Sequence, residues 1–289
     1  MSTGSREFVR ATPRPGGPIV SAVGYRTRGV RPALHRGLPS PYLTLIFSLD
    51  GPVVSGATPK QARGPGADRT EIVVGGLHRD PAFIAQPAHE AGIQLAVHPL
   101  AARGLLGVPA AELTGRLVTD GTDVLGPAAA GVCAHLRELP DWRARFERLG
   151  AYLLRGVDEP FAAVRPEVVE AWAWLARHRG TGTLPGLAAH VALSERRLTA
   201  LFRAETGLSP GQAGRLMRFQ HAKAAVVRAV AAGGPPDLSR VAAAHGYCDH
   251  SHLVRDFRRY TGLSPTGWLA EECRNIQAGG HHDGADSEP

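Results

Sequence analysis

The sequence predicts an α+β chain: a β-rich N-terminal domain with trailing helices, then an all-α domain of two repeated helix pairs joined by a linker helix. Three observations predict it. Apolar runs bounded by turn residues dominate before about residue 105, Ala/Leu-rich segments follow, and a thirteen-residue segment recurs at an offset of 55 near the end. At ~100–200 residues per domain, 289 residues suit two domains, each able to bury a core.

Residues 1–39, rich in Gly, Pro and Arg, read as an irregular opening segment. Leu43–Leu49, between Pro41 and Asp50-Gly51-Pro52, is a continuous apolar run with turn residues on both sides, the pattern of a buried strand. Glu71–Val74, Ala82–Ala85 and Ile93–Val97 are further strands, and residues 57–69 read as an exposed loop. Ala110–Leu117, Ala128–Leu139 and Trp142–Leu154 follow as helices. In the last, Trp142, Phe146, Leu149 and Leu153 form one apolar stripe, which suits packing on its own domain or on a second copy of the chain. Another helix is predicted at Pro166–Arg179, with Pro at its first turn. The boundaries read 1–160, 161–275 and a polar, Gly-rich, disordered tail at 276–289.

Composition excludes several classes. No stretch approaches the ~20 apolar residues of a membrane span, and the N-terminus lacks the apolar core of a secretory signal, so the expected place is the cytoplasm. Cys133, Cys248 and Cys273 include no Cys-x-x-Cys pair, against a disulfide framework or a zinc knuckle. Lysine occurs only at Lys60 and Lys223 among 33 basic residues, and the net charge is +7. The basic excess is shared between the two halves, so charge supports nucleic-acid binding without locating it.

The repeat aligns Leu198–Pro210 with Leu253–Pro265, identical at Leu, Phe, Arg, Thr, Gly, Leu, Ser and Pro. A short apolar helix precedes each copy, at Leu187–His190 and Leu238–His245. Two short helices joined by a tight turn, twice over, describe two helix-turn-helix units. Ser194 and Asp249 are good N-caps, and Gly207 and Gly262 stand where a left-handed C-terminal cap is expected. At 100° per residue Leu198, Leu201 and Phe202 turn inward and Arg196, Thr199, Ala200 and Arg203 outward. In the second unit Leu253 and Phe257 turn inward, leaving Ser251, Val254, Arg255 and Arg258 outside. Arginines flanking a small or polar centre suit a helix in a DNA major groove, paired to guanine or to phosphate. His250 and His252 stand near the N-terminus of the same helix, within reach of a base edge or phosphate. Between the units, Gln212 to about Ala232 forms one helix that buries Leu216, Phe219, Ala222, Val226, Val227 and Val230, with Arg218, His221 and Arg228 opposite. Its ~30 Å length approaches the ~34 Å of one DNA turn, so one chain would read two half-sites.

At these residues the chain resembles the DNA-binding domain of the AraC/XylS family of bacterial transcription regulators, over roughly residues 165–270. The resemblance rests on Leu187-Ala188 with Ser194, Leu198 and Phe202; on Arg218 and Ala222; on Ala242 with Gly246-Tyr247; and on Asp249, Ser251, Leu253, Phe257-Arg258, Gly262 and Ser264-Pro265. It implies base contacts from Arg196, Thr199 and Ala200, and from His250, Ser251, Val254 and Arg255. Ala200 and Val254 would meet thymine methyls. Arg203, Arg258 and Arg259 would hold phosphates. The resemblance also implies an N-terminal domain that senses a small-molecule effector or sets a homodimer, with RNA polymerase a further partner. No cofactor and no enzymatic activity are expected.

Three rival chemistries do not fit the residues. Gly207-Leu208-Ser209-Pro210-Gly211 matches a hydrolase nucleophile elbow, but a helix rather than a strand precedes it and the same residues recur in the repeat. His35, His78, His89 and His98 lack metal-ligand spacing. An alkyl-transfer enzyme of the kind fused to this domain needs a four-cysteine zinc site, and three scattered cysteines do not supply it. Cys133 reads as a small buried hydrophobe.

Overall fold

The computed structural model describes residues 4–277. Among the described residues ten strands form two antiparallel sheets. The six-stranded sheet has the order β1 (Ser5–Ala11), β2 (Ile19–Arg28), β9 (Glu90–Val97), β4 (Leu43–Ser48), β7 (Ile72–Gly75) and β10 (Thr119–Asp120). The four-stranded sheet runs β3 (Ala33–Gly37), β8 (Ala82–Gln86), β5 (Val53–Gly56) and β6 (Asp68–Thr70). In β4, Leu43, Leu45 and Phe47 join the apolar core that includes residues of the helices, while Ile46 and Ser48 line a cavity toward the smaller sheet. Both faces are covered, which is why this strand reads as an unbroken apolar run.

The expected irregular opening segment, 1–39, is not irregular in its described part, from residue 4 on, which holds β1, β2 and β3. The apolar alternation of β1 and β2 is hidden in sequence by arginines on half-buried positions, and their backbone groups pair over long range, β2 with both β1 and β9. The expected loop at 57–69 likewise contains a one-turn helix α1 (Pro59–Arg63), capped by Thr58, and enters β6.

A 3₁₀ turn (Pro99–Ala101) leads to α2 (Ala102–Leu106), α3 (Ala110–Leu113), α4 (Gly121–Leu125), α5 (Ala128–Glu138) and α6 (Trp142–Leu153). Helices α5 and α6 cover the outer face of the large sheet. Gly24 on β2 lies under the Trp142 ring, where a Cβ would come within 2.4 Å of it. Trp142, Leu149 and Leu153 are buried and Phe146 half-buried, so the stripe is used within the chain. Cys133 is fully buried, its thiol donating to Ser48 O at 3.2 Å.

The helical half comprises α7 (Pro166–Arg177), α8 (Leu184–His190), α9 (Glu195–Thr206), α10 (Pro210–Ala231), α11 (Leu238–Ala244), α12 (His250–Thr261) and α13 (Pro265–Gln277). The last helix runs two residues past the expected boundary, and the rest of the expected tail, 278–289, lies outside the described residues. One apolar core runs through both halves. The junction is a ring stack: His98 sits edge-on to Phe161 and Trp172, and Trp172 stacks on Phe202 of α9 at 5.8 Å. Among the described residues no helix is long and apolar enough to cross a membrane, and no cluster of three His, Cys, Asp or Glu could hold a metal.

Burial pushes the His98 imidazole down to about 4, and its Nδ1 accepts from Leu100 N–H at 3.2 Å, a bond open only to the unprotonated nitrogen. Between pH ~6.5, the unfolded value, and about 4, the unfolded chain binds a proton that the folded chain refuses. Stability therefore falls as pH falls through this window, by up to ~3 kcal/mol, and is unaffected by this group above it. Urea denaturation at pH 7 and pH 5 should show this loss in the wild type and a smaller one in His98→Asn. Parallel losses in both proteins would refute the assignment.

Candidate nucleic-acid interface

The two helix pairs, α8–α9 and α11–α12, are built by the same local chemistry. At the start of α9, Ser194 Oγ accepts Arg197 N–H at 3.2 Å; at the start of α12, Asp249 Oδ1 accepts His252 N–H at 2.7 Å. These bonds satisfy amides that an isolated helix leaves without partners. Mid-helix, Leu198 and Phe202, and their equivalents Leu253 and Phe257, are wholly buried. At the far end the Thr206 and Thr261 hydroxyls donate to Phe202 O and Phe257 O at 2.8 and 2.7 Å. The same oxygens accept the N–H of Leu208 and Leu263. Gly207 and Gly262 follow with φ of 74° and 76°, the left-handed region that reverses the chain without steric cost in glycine. Ser209 and Ser264 then cap the next helices.

This construction leaves the opposite faces outside. Arg196, Ala200 and Arg203 are exposed on α9, with Thr199 half-buried. On α12, His250, Ser251, Arg255, Arg258 and Arg259 are exposed and Val254 is half-buried. His252 is turned toward the protein, edge-on to Tyr247 at 5.0 Å, so His250 is the freer of the two. Among the described residues no carboxylate pairs with Arg196, Arg203, Arg255, Arg258 or Arg259; Arg259 lies over the Tyr260 ring at 5.8 Å. Five guanidiniums are thus free to bind an anion.

The linker helix α10 is more deeply enclosed than its apolar spacing indicates. Besides Leu216, Phe219, Ala222 and Val226, it buries Met217, Gln220 and Lys223, while Val227 and Val230 are half-buried. Arg218 does not face solvent opposite the core. Its guanidinium lies over the Tyr247 ring at 4.9 Å and donates to Gly246 O at 3.5 Å, fastening α10 to the turn of the second unit. Gly246, with φ of 70°, is needed there because a Cβ would meet Thr181 at 2.5 Å. Asp256 is buried between Tyr247 and Tyr260. Burial first and Asp256 second push both phenols up, Tyr260 to about 12, so neither adds negative charge at neutral pH. The Thr206 and Thr261 knots have no functional signature in the sequence beyond standing among the identities of the repeat.

Residues 187–271 match a family model described as a helix-turn-helix domain, of the AraC type, and the match spans both units. Among solved structures the chain is similar to ToxT from Vibrio cholerae, at 10% identity over 86% of this chain and 96% of that one, with a TM-score of 0.46. It is also similar to the C-terminal domain of AraT, a response regulator from Geobacillus stearothermophilus, at 19% identity over 38% and 88%, TM-score 0.34. The DNA-binding domain of AdpA, solved with a target DNA, is 26% identical over 39% and 99%, TM-score 0.33. No curated protein matches the chain.

Asp249 caps α12 without help from an acidic first turn. Asp249→Ala should lower stability in urea by ~1 kcal/mol, and Asp249→Ser should recover most of it. Equal losses in the two variants would show that the side chain does something other than cap.

Proposed function

We propose that this chain, which carries an AraC-type helix-turn-helix domain at residues 187–271, is a sequence-specific transcription regulator that lays α9 and α12 into successive major grooves. The observation that carries the reading is the matched pair of helices, equal in caps, buried residues and terminal knots, each presenting unpaired guanidiniums on its outer face. Arg196, Thr199, His250 and Arg255 would read base edges, with Ser251 beside them and Ala200 and Val254 at thymine methyls. Arg203, Arg258 and Arg259 would set position on phosphates. The 22 residues of α10 separate the units by ~33 Å along its axis, close to one DNA turn.

The N-terminal domain, bounded near residue 160, would modulate this reader through a small-molecule effector. Support comes from a cavity of about 130 Å³ between the two sheets, lined among others by Arg6, Tyr25, Thr27, His35, Glu90 and Gln94. The buried Thr27 hydroxyl has no hydrogen-bond partner there, as expected of a group that meets a ligand. Burial raises the Glu90 carboxyl, against the nearby His35 and Arg6 charges, which lower it. A polar molecule of a few heavy atoms fits that volume and lining.

Selection of bound sites from random duplex DNA by the full chain tests the reading directly. Enrichment of two half-sites about one turn apart is the expected result, and recovery of unrelated sequences would defeat it. On an enriched site Arg255→Ala should cost ~1–3 kcal/mol and relax the preference at one base pair. Arg258→Ala should weaken binding evenly across sequences and reduce the log–log salt slope by ~1. A salt-independent affinity would contradict both assignments.

A further inference from the structure

The N-terminal half holds the two recognition helices at equivalent atoms. Thr206 and Thr261 are related by the 55-residue repeat, and each carbonyl lies in the last turn of its helix, where no intrahelical donor remains. Thr206 O accepts from Thr114 Oγ1 at 2.8 Å, a hydroxyl whose single proton is shared with Ala110 O at 2.9 Å. Thr261 O accepts from Arg36 Nη1 at 3.3 Å. Thr114 follows α3 and Arg36 lies on β3, so two separate points of one β-rich body reach the same atom in each repeat.

Each contact is reinforced beside the carbonyl. At the first unit Arg103 Nε bonds both oxygens of Glu205, at 2.9 and 3.0 Å, and Glu205 is buried. Gly207 packs so closely on Thr114 that a Cβ would lie 2.5 Å from it. At the second unit the Arg36 guanidinium forms a fork with Glu271, Nε to Oε2 at 2.8 Å and Nη2 to Oε1 at 3.1 Å. It is steadied over the Phe83 ring at 5.1 Å. His35, the next residue of β3, faces buried Glu272 at 3.4 Å.

From this arrangement we infer that Thr114 and Arg36 are positioning residues for DNA readout, fixing the separation of α9 and α12 and so the half-site spacing the chain accepts. The inference rests on the two-groove reading above. Helix α10 follows α9 after a three-residue turn and stops well before α12. Along the rod the second unit is seated by Phe219 against Phe257 and Tyr260, at 5.1 and 4.8 Å, and by the Arg218–Tyr247 contact, all of them made with α10. A second link through the N-terminal body closes the frame, and a closed frame has one spacing where an open one has a range. Neither residue needs to touch DNA for this.

The test uses the full chain with Thr114→Val, which keeps shape and removes the hydroxyl, and Arg36→Met, which keeps the stem and removes every donor, singly and together. Paired spin labels on Cys248, which is exposed beside α12, and on Ala204→Cys of α9, in a Cys273→Ser background, read the separation without DNA. The double variant should show a distribution about twice as wide as that of the unsubstituted pair, with an unchanged urea midpoint within error or a small loss; an equally narrow distribution overturns the inference, whatever DNA binding shows. On the selected site the double variant should lose about tenfold in affinity and most of its discrimination against spacings changed by one or two base pairs. Its affinity for a single half-site should stay within twofold. Equal losses on half-site and full site would mean general damage, and tighter binding at the native spacing would mean a brake; either result overturns the positioning role. Failure of the unsubstituted chain to enrich paired half-sites would instead strike the two-groove reading itself, and it is separable because the label distances are measured on DNA-free protein.

Discussion

A helix of twelve residues, such as α9 or α12, cannot hold itself together in water, because helix nucleation costs more than so few hydrogen bonds return. Everything else in the helical half answers that constraint. Each of α9 and α12 is tied at its start by a capping side chain, along one side by a buried Leu–Phe pair, and at its end by a threonine hydroxyl and a left-handed glycine. Order supplied in this way uses one stripe and two ends and leaves the outer face with no structural duty. The outer arginines are free to bind because the helix does not need them to fold.

The same constraint explains why the two halves share one core. Phe202, which anchors α9, is stacked on Trp172 of α7, and Trp172 in turn touches His98 at the base of the β-rich half. The uncharged His98 is therefore part of the floor on which the first unit stands. The second unit rests on rings of the helical half. Its Phe257 packs on Phe219 of the linker helix and on Trp268 of α13, and its contact with the N-terminal half is polar, through Arg36 and His35. One unit is seated by apolar burial and the other by charge and hydrogen bonding, so they differ in how water and salt act on their attachment.

How much of this was legible in the sequence follows from how local each feature is. The helical half was, because caps, knots and buried pairs are decided within a turn or two of chain, and duplication shows each signal twice. The strands β1 to β3 are not legible in the sequence because strand order there comes from partners as distant as Val97 is from Ile19, and because arginine at half-buried strand positions breaks the visible alternation. Arg218 reads as outward for a related reason: helical spacing gives its direction on α10 but not the Tyr247 ring waiting there from another element. The Thr114 and Arg36 contacts are long-range side-chain bonds to main-chain atoms, and no pattern in either residue's own neighbourhood announces them.

On the DNA-binding reading proposed above, each carboxylate of the helical half carries a cost, since it repels phosphate. Glu205 and Glu271 are both met by arginines of the N-terminal half, and Glu272 by His35. Two of these contacts flank the bonds that Thr114 and Arg36 make to the ends of α9 and α12, where the helix dipole also presents partial negative charge. Arginine satisfies a carboxylate and a carbonyl with one fork, as Arg36 does with Glu271 and Thr261 O; a lysine ammonium would have to choose its geometry for one of them. The arginine contacts that meet Glu205 and Glu271 thus lie beside the bonds that Thr114 and Arg36 make to the ends of α9 and α12.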